Sequence, residues 1–142
     1  MTDFWRRWLI AWCLAVMAFG LVLAGAGFEA TSGPTRIAYG LLGPGHTLIF
    51  DPTLRFSIAL MGAVTLGWGM TMLGVVVAGR DLPTDATVRL WRAISVGVVS
   101  WFVIDSSLSI ATGFPLNAVS NTILLVAYLI PMRGIGTLNQ NS

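Results

Sequence analysis

Four apolar runs of about twenty residues each, at 8–28, 56–79, 93–112 and 114–132, leave this chain few ways to fold. A bilayer core takes roughly 17–25 helical residues to cross, and each run meets that length. Inside lipid no water is present to satisfy peptide groups, so spans of this kind must be helical. The predicted fold is all-α: four transmembrane helices in an antiparallel bundle, making a single domain over residues 1–142. Only 10% of the residues are charged, against about 25% in a soluble domain, which excludes a water-soluble fold.

Arginine placement sets the expected orientation. All eight basic residues are arginines. Arg6 and Arg7 precede the first span, Arg80, Arg89 and Arg92 separate the second from the third, and Arg133 follows the fourth. Arg36 and Arg55 alone fall on the opposite side, so both termini are expected in the cytoplasm. The absence of lysine suggests a GC-rich bacterial genome, and the bacterial inner membrane is the expected location. Arg6-Arg7, an apolar run and Ala24-Gly25-Ala26 also resemble a cleavable export signal. The run is longer than the 7–15 residues of a signal core, which favours an uncleaved helix.

The connections differ sharply in length. Residues 29–55 form a long loop, expected to face the periplasm, with Pro34, Gly40, Gly43, Pro44 and Gly45 breaking an otherwise apolar stretch. Such a loop should lie on the interface or fold over the mouth of the bundle. Asp51-Pro52 reads as N-cap and first-turn proline of the second span. Residues 80–92 read as a turn followed by a helix start capped by Thr84 or Asp85. Gly113-Phe114-Pro115 is a minimal turn, so spans three and four must be antiparallel neighbours.

Asp105 is the only acidic residue placed inside a span. At that depth an ionisable group costs at least roughly 2.5–3.5 kcal/mol, so it needs a partner, water or a proton. Asp105 stands about eight residues before the turn, roughly 12 Å along the helix, and Asn121 about seven after it, so the two fall at one level. Asn117 shares a helix face with Asn121, and Ser109 shares one with Asp105. Ser106, Ser107, Ser120 and Thr122 crowd the same region. Arg55, entering span two from the periplasmic side, is a candidate counter-ion. A fixed Asp105–Arg55 pair would be structural, whereas an acid free to exchange its proton suits proton or cation coupling. Membrane bundles also use such polar groups simply as interhelical hydrogen bonds.

The aromatic and small residues have plainer readings. Trp5, Trp8 and Trp12 recur on one face beside Arg6 and Arg7, as an interfacial belt does, and Trp91 fits the same belt. Trp68 and Trp101 lie near mid-span and either fill the core or wall a ligand cavity. Gly62, Gly67, Gly69 and Gly74 with Ala63 in span two, and Gly20 with Ala24 in span one, let helix backbones approach closely, within the bundle or between copies.

Several classes are excluded by shortage. A lone Cys13 cannot make an intrachain disulfide or a dithiol site. His46 is the only histidine, and no ligand cluster has metal spacing, so no metal and no cofactor is expected. The arginines sit at span ends rather than on one basic face, which argues against nucleic acid. No nucleophile accompanies Asp105, and no phosphate loop or paired carboxylates appear.

The hydropathy pattern, together with Phe50-Asp51-Pro52-Thr53-Leu54-Arg55-Phe56, resembles the uncharacterised small four-helix membrane proteins of bacteria, a likeness that implies a fold and no activity. The small multidrug-resistance transporters are also short and four-span, but they carry an essential acid in the first span where this chain has none. The leading expectation is a non-enzymatic protein that self-associates or joins a larger membrane complex, with the lipid bilayer as its surroundings and Asp105 as an interior polar contact. The rival is a small proton- or cation-coupled transporter or ligand-binding protein, its site formed by Asp105, Asn121, Asn117, Ser109, Trp101 and Arg55.

Overall fold

The computed structural model describes residues 2–46 and 49–136, with side chains as far as Arg133. Every regular element among them is helical: α1 (Asp3–Ala24), α2 (Gly33–Leu42), α3 (Pro52–Ala78), α4 (Thr84–Ala111) and α5 (Pro115–Gly136). Short 3₁₀ turns at Gly25–Gly27, Glu29–Thr31 and Gly79–Asp81 extend or join them. Four of the helices, α1, α3, α4 and α5, are long and apolar enough to cross a membrane. By contact the chain divides into two compact units: Cys13–Leu73, and Met1–Trp12 with Gly74–Ser142.

In the Cys13–Leu73 unit, α1 and α3 touch backbone to backbone. A Cβ on Gly20 would stand 2.6 Å from the Leu66 amide nitrogen, and one on Gly62 would run into Leu23 and Ala24. Gly69 meets Met17 and the Cys13 carbonyl in the same way. Without a hydrophobic drive between helices in lipid, this closeness is what dispersion needs to hold them. Three of the glycines are thus spent inside the chain, while Gly67 and Gly74 face open space.

The connection between α1 and α3 is not the irregular loop its glycines and prolines suggest. It contains the ten-residue α2, begun by Pro34 at a first-turn position where its fixed φ fits and its missing N–H is not needed. Buried Thr35 donates its hydroxyl to the Val22 carbonyl at 2.6 Å, satisfying one of the acceptors that α1 leaves open at its end. Glu29 binds Arg36 at 2.9 Å and also pairs with Arg55. Arg55 donates further to the Phe50 carbonyl, and the Arg36 guanidinium lies 4.4 Å above the Phe50 ring. Beneath them Leu23, Ala26, Phe50 and Ile58 form a small core against Tyr39 and Leu54. Asp51 caps α3 as its sequence predicts, its carboxylate accepting from the Leu54 amide at 2.8 Å, with Pro52 opening the helix.

The other unit is organised by α4 and α5. Helix α4 begins at Thr84, nine residues before its apolar stretch, with Pro83 and not Thr84 or Asp85 in the cap position. Asp85 instead pairs with Arg89 one turn on. At the far end the helix closes in a Schellman motif. Gly113 takes φ +86°, the Phe114 amide reaches back to the Ser109 carbonyl at 2.8 Å and the Gly113 amide to that of Ile110 at 3.2 Å. Only glycine adopts that φ without strain, and the chain reverses directly into α5. Along the hairpin Ser95 and the buried Tyr128 share a hydrogen bond of 2.9 Å.

Two tryptophans of α1 fasten it to α5. The Trp8 indole donates to the Ala127 carbonyl at 2.8 Å, and the Trp12 indole to that of Leu124 at 3.0 Å. The first bond has a specific cause. Pro131 lies inside α5 and carries no N–H, so Ala127, four residues earlier, loses its helical donor. Trp8 supplies the replacement. Trp12 is almost fully buried, and its ring centre stands 5.7 Å from that of Tyr128. These residues therefore strap helices together in addition to any place in an aromatic belt.

Candidate functional site

The α4–α5 hairpin brings Asp105, Asn117, Asn121 and Ser109 into one hydrogen-bonded group. With the turn at Gly113, residues 105 and 109 of α4 face residues 121 and 117 of α5 across antiparallel helices. Asp105 Oδ2 accepts from Asn117 Nδ2 at 3.1 Å and from Asn121 Nδ2. Asn117 gives its second N–H to Ser109 Oγ at 2.8 Å, and Asn121 gives its second to Ser106 Oγ at 3.3 Å. Ser109 in turn donates to the Asp105 carbonyl at 2.7 Å. A primary amide has two N–H donors, and both are used on each asparagine.

Burial varies across the group. Asn121, Ser106 and Ser109 are buried, whereas Asp105 and Asn117 are half-buried. Among the described residues Asp105 makes no ion pair, and no donor reaches its Oδ1. That oxygen is not sealed inside, since no buried side-chain polar atom lacks a partner among the described residues. One edge of the carboxyl is thus held by two amides, while the other has no donor and is not fully sealed from the surface.

The remaining candidates lie elsewhere. Arg55 belongs to the Cys13–Leu73 unit, where Glu29 and the Phe50 carbonyl take its guanidinium. Trp101 stands one turn before Asp105 and is half-buried. Ser106 completes the group although Asn117 and Asn121 draw more notice in the sequence; its signal is the three-residue spacing from Ser109, which puts both serines on the α5-facing side. Ser107 is exposed, and Ser120 and Thr122 turn back to carbonyls of their own helix.

The arrangement suits holding better than reacting. Hydrogen bonds to a charged acceptor contribute about 1.5–3 kcal/mol each, so two amides go far to offset the desolvation of a carboxylate. The Ser109 hydroxyl is committed to a main-chain carbonyl and has no base against it. No group of three or more His, Cys, Asp or Glu residues comes together among the described residues. Neither a protein-family model, a curated protein nor a solved structure matches the chain.

Proposed function

We propose that this chain is a non-enzymatic integral membrane protein of the bacterial inner membrane that self-associates through the face of α4 bearing Asp105, either as a homo-oligomer or within a larger complex. The observation that carries this reading is the half-engaged carboxyl: two amides on Oδ2, and an Oδ1 without a donor on a residue only half-buried. In hydrocarbon an unsatisfied polar atom costs several kcal/mol, and a second chain that donates to Oδ1 removes that cost. Around it Ile104 and Leu108 are exposed, as a packing surface in lipid would be. The arginine bias supports a four-span antiparallel bundle with cytoplasmic termini and the α2 segment in the periplasm.

The coupled-transport reading is weaker on the same geometry. A cation site presents converging oxygens, whereas here both asparagines offer nitrogen to the carboxyl. The test is the oligomeric state in lipid nanodiscs by native mass spectrometry, with cysteine cross-linking at Leu108→Cys in a Cys13→Ala background. An oligomer that cross-links through position 108 and falls to monomer in Asp105→Leu is the expected result. A monomer in both, with sodium- or proton-driven uptake into proteoliposomes, would sink the reading in favour of transport.

A further inference from the structure

A second polar feature lies at the opposite end of the α4–α5 hairpin. A cavity of about 220 Å³ opens between the first turns of α1, the end of α3 and the start of α4. Arg6, Arg80, Asp3 and Thr84 are among the residues that line it. Val76 and Trp91, both almost fully buried, also line it. Arg6 is partly neutralised by Asp3 at 3.2 Å. Arg80 makes no ion pair among the described residues, and the Thr84 hydroxyl has no hydrogen-bond partner among them. The cap position of α4 is Pro83, and the Asp85 carboxylate of the first turn takes the Ala86 amide.

These groups share a preference. Two guanidinium groups and the Thr84 hydroxyl favour a phosphate oxygen. The apolar lining favours carbon next to that phosphate. The volume is below the roughly 300–1,000 Å³ of pockets for drug-sized ligands, which fits a phosphate with its ester carbons and not a nucleotide. The place fits too, because the Gly79–Asp81 turn and Thr84 mark the ends of two spans, the level at which phospholipid phosphates lie. Basic pockets between span ends are a common form of anionic headgroup site.

We infer that this cavity binds the phosphate of a glycerophosphate ester, with Arg80 as its main cation and Arg6 as the second. The ester comes from an anionic phospholipid or from a soluble glycerol phosphate, and one experiment separates the sources. The intact chain in neutral detergent is titrated with phosphatidylglycerol, phosphatidylcholine or glycerol 3-phosphate and read by native mass spectrometry. Phosphatidylglycerol should be retained roughly tenfold or more over phosphatidylcholine. Arg6→Gln with Arg80→Gln should abolish the preference, and Arg80→Lys alone should keep part of it. Arg92→Gln with Arg133→Gln, which removes the same charge outside the cavity, should leave it intact. Asp3→Asn should strengthen retention by freeing Arg6. Retention of glycerol 3-phosphate with the same arginine dependence would assign the soluble source. Equal losses in the two double variants, with helical content unchanged by circular dichroism, would overturn the site, as would no preference in the parent chain.

Discussion

The bond from Trp8 to α5 can be tested against the reason given for it. Removing the indole N–H with Trp8→Phe keeps a ring in place and leaves the Ala127 carbonyl with neither a helical donor, because of Pro131, nor a side-chain one. An orphaned carbonyl costs about 1–3 kcal/mol, and the smaller ring adds a modest packing loss because Trp8 is already 40% exposed. Pro131→Ala restores an N–H four residues after Ala127, so in that background the carbonyl stays satisfied and only the packing loss remains. Pro131 is fully buried, and the void its replacement leaves is common to both Pro131→Ala proteins and cancels in the cycle. The expected coupling is about 1–2 kcal/mol, a 5- to 30-fold difference in the unfolding equilibrium. Unfolding by dodecyl sulfate in mixed micelles, followed by helical circular dichroism, measures all four proteins without relying on tryptophan emission. Trp12→Phe is the control, since Leu124 keeps its own helical donor and should show no coupling to Pro131. Equal cost of Trp8→Phe in both backgrounds, within roughly 0.3–0.5 kcal/mol, would refute the explanation.

Two further outcomes follow from the packing and the polar group. Gly62→Ala should destabilise by about 1–3 kcal/mol or more, because the added methyl meets α1 backbone that cannot move aside; Gly67→Ala, which meets open space, should be neutral or stabilising by about 0.5–1 kcal/mol in the same micelle assay. Asp105→Leu should cost about 1–3 kcal/mol by stripping an acceptor from two amides, whereas Asp105→Asn keeps a carbonyl oxygen there and should cost less; the reverse order in that unfolding assay would mean that the amides do not depend on this acceptor.

Much of this architecture can be read before any coordinates. The four long helices follow from hydropathy, because lipid leaves the backbone a single choice. The level of Asp105 against Asn121 follows from counting outward from Gly113. What hydropathy could not reveal is governed by single atoms. Helix α2 hid behind Pro34, a residue that breaks helices everywhere except the first turn, where it sits. Arg55 appeared poised for Asp105 because both are charges near spans, yet Glu29 takes its guanidinium within the α1–α3 connection. Pro131 announces an orphaned carbonyl four residues earlier, but nothing in a linear pattern says that an indole from the first helix will meet it. Glycine spacing alone likewise could not separate Gly62, which is covered by α1, from Gly67, which is open.

The shortness of the α4–α5 turn bears on how this chain enters a bilayer. Asp105 finds its donors only 12 and 16 residues downstream, and contacts that local form quickly. Once the first two turns of α5 have been synthesised, the hairpin can close on its glycine and seat both amides against the carboxyl. The third and fourth spans can then partition together, the acid crossing the headgroup region already hydrogen-bonded. Insertion of α4 alone would bear the full transfer cost of that side chain. The pair spreads it over two helices, so a truncation that ends before Asn117 should leave α4 poorly inserted although its apolar stretch is complete.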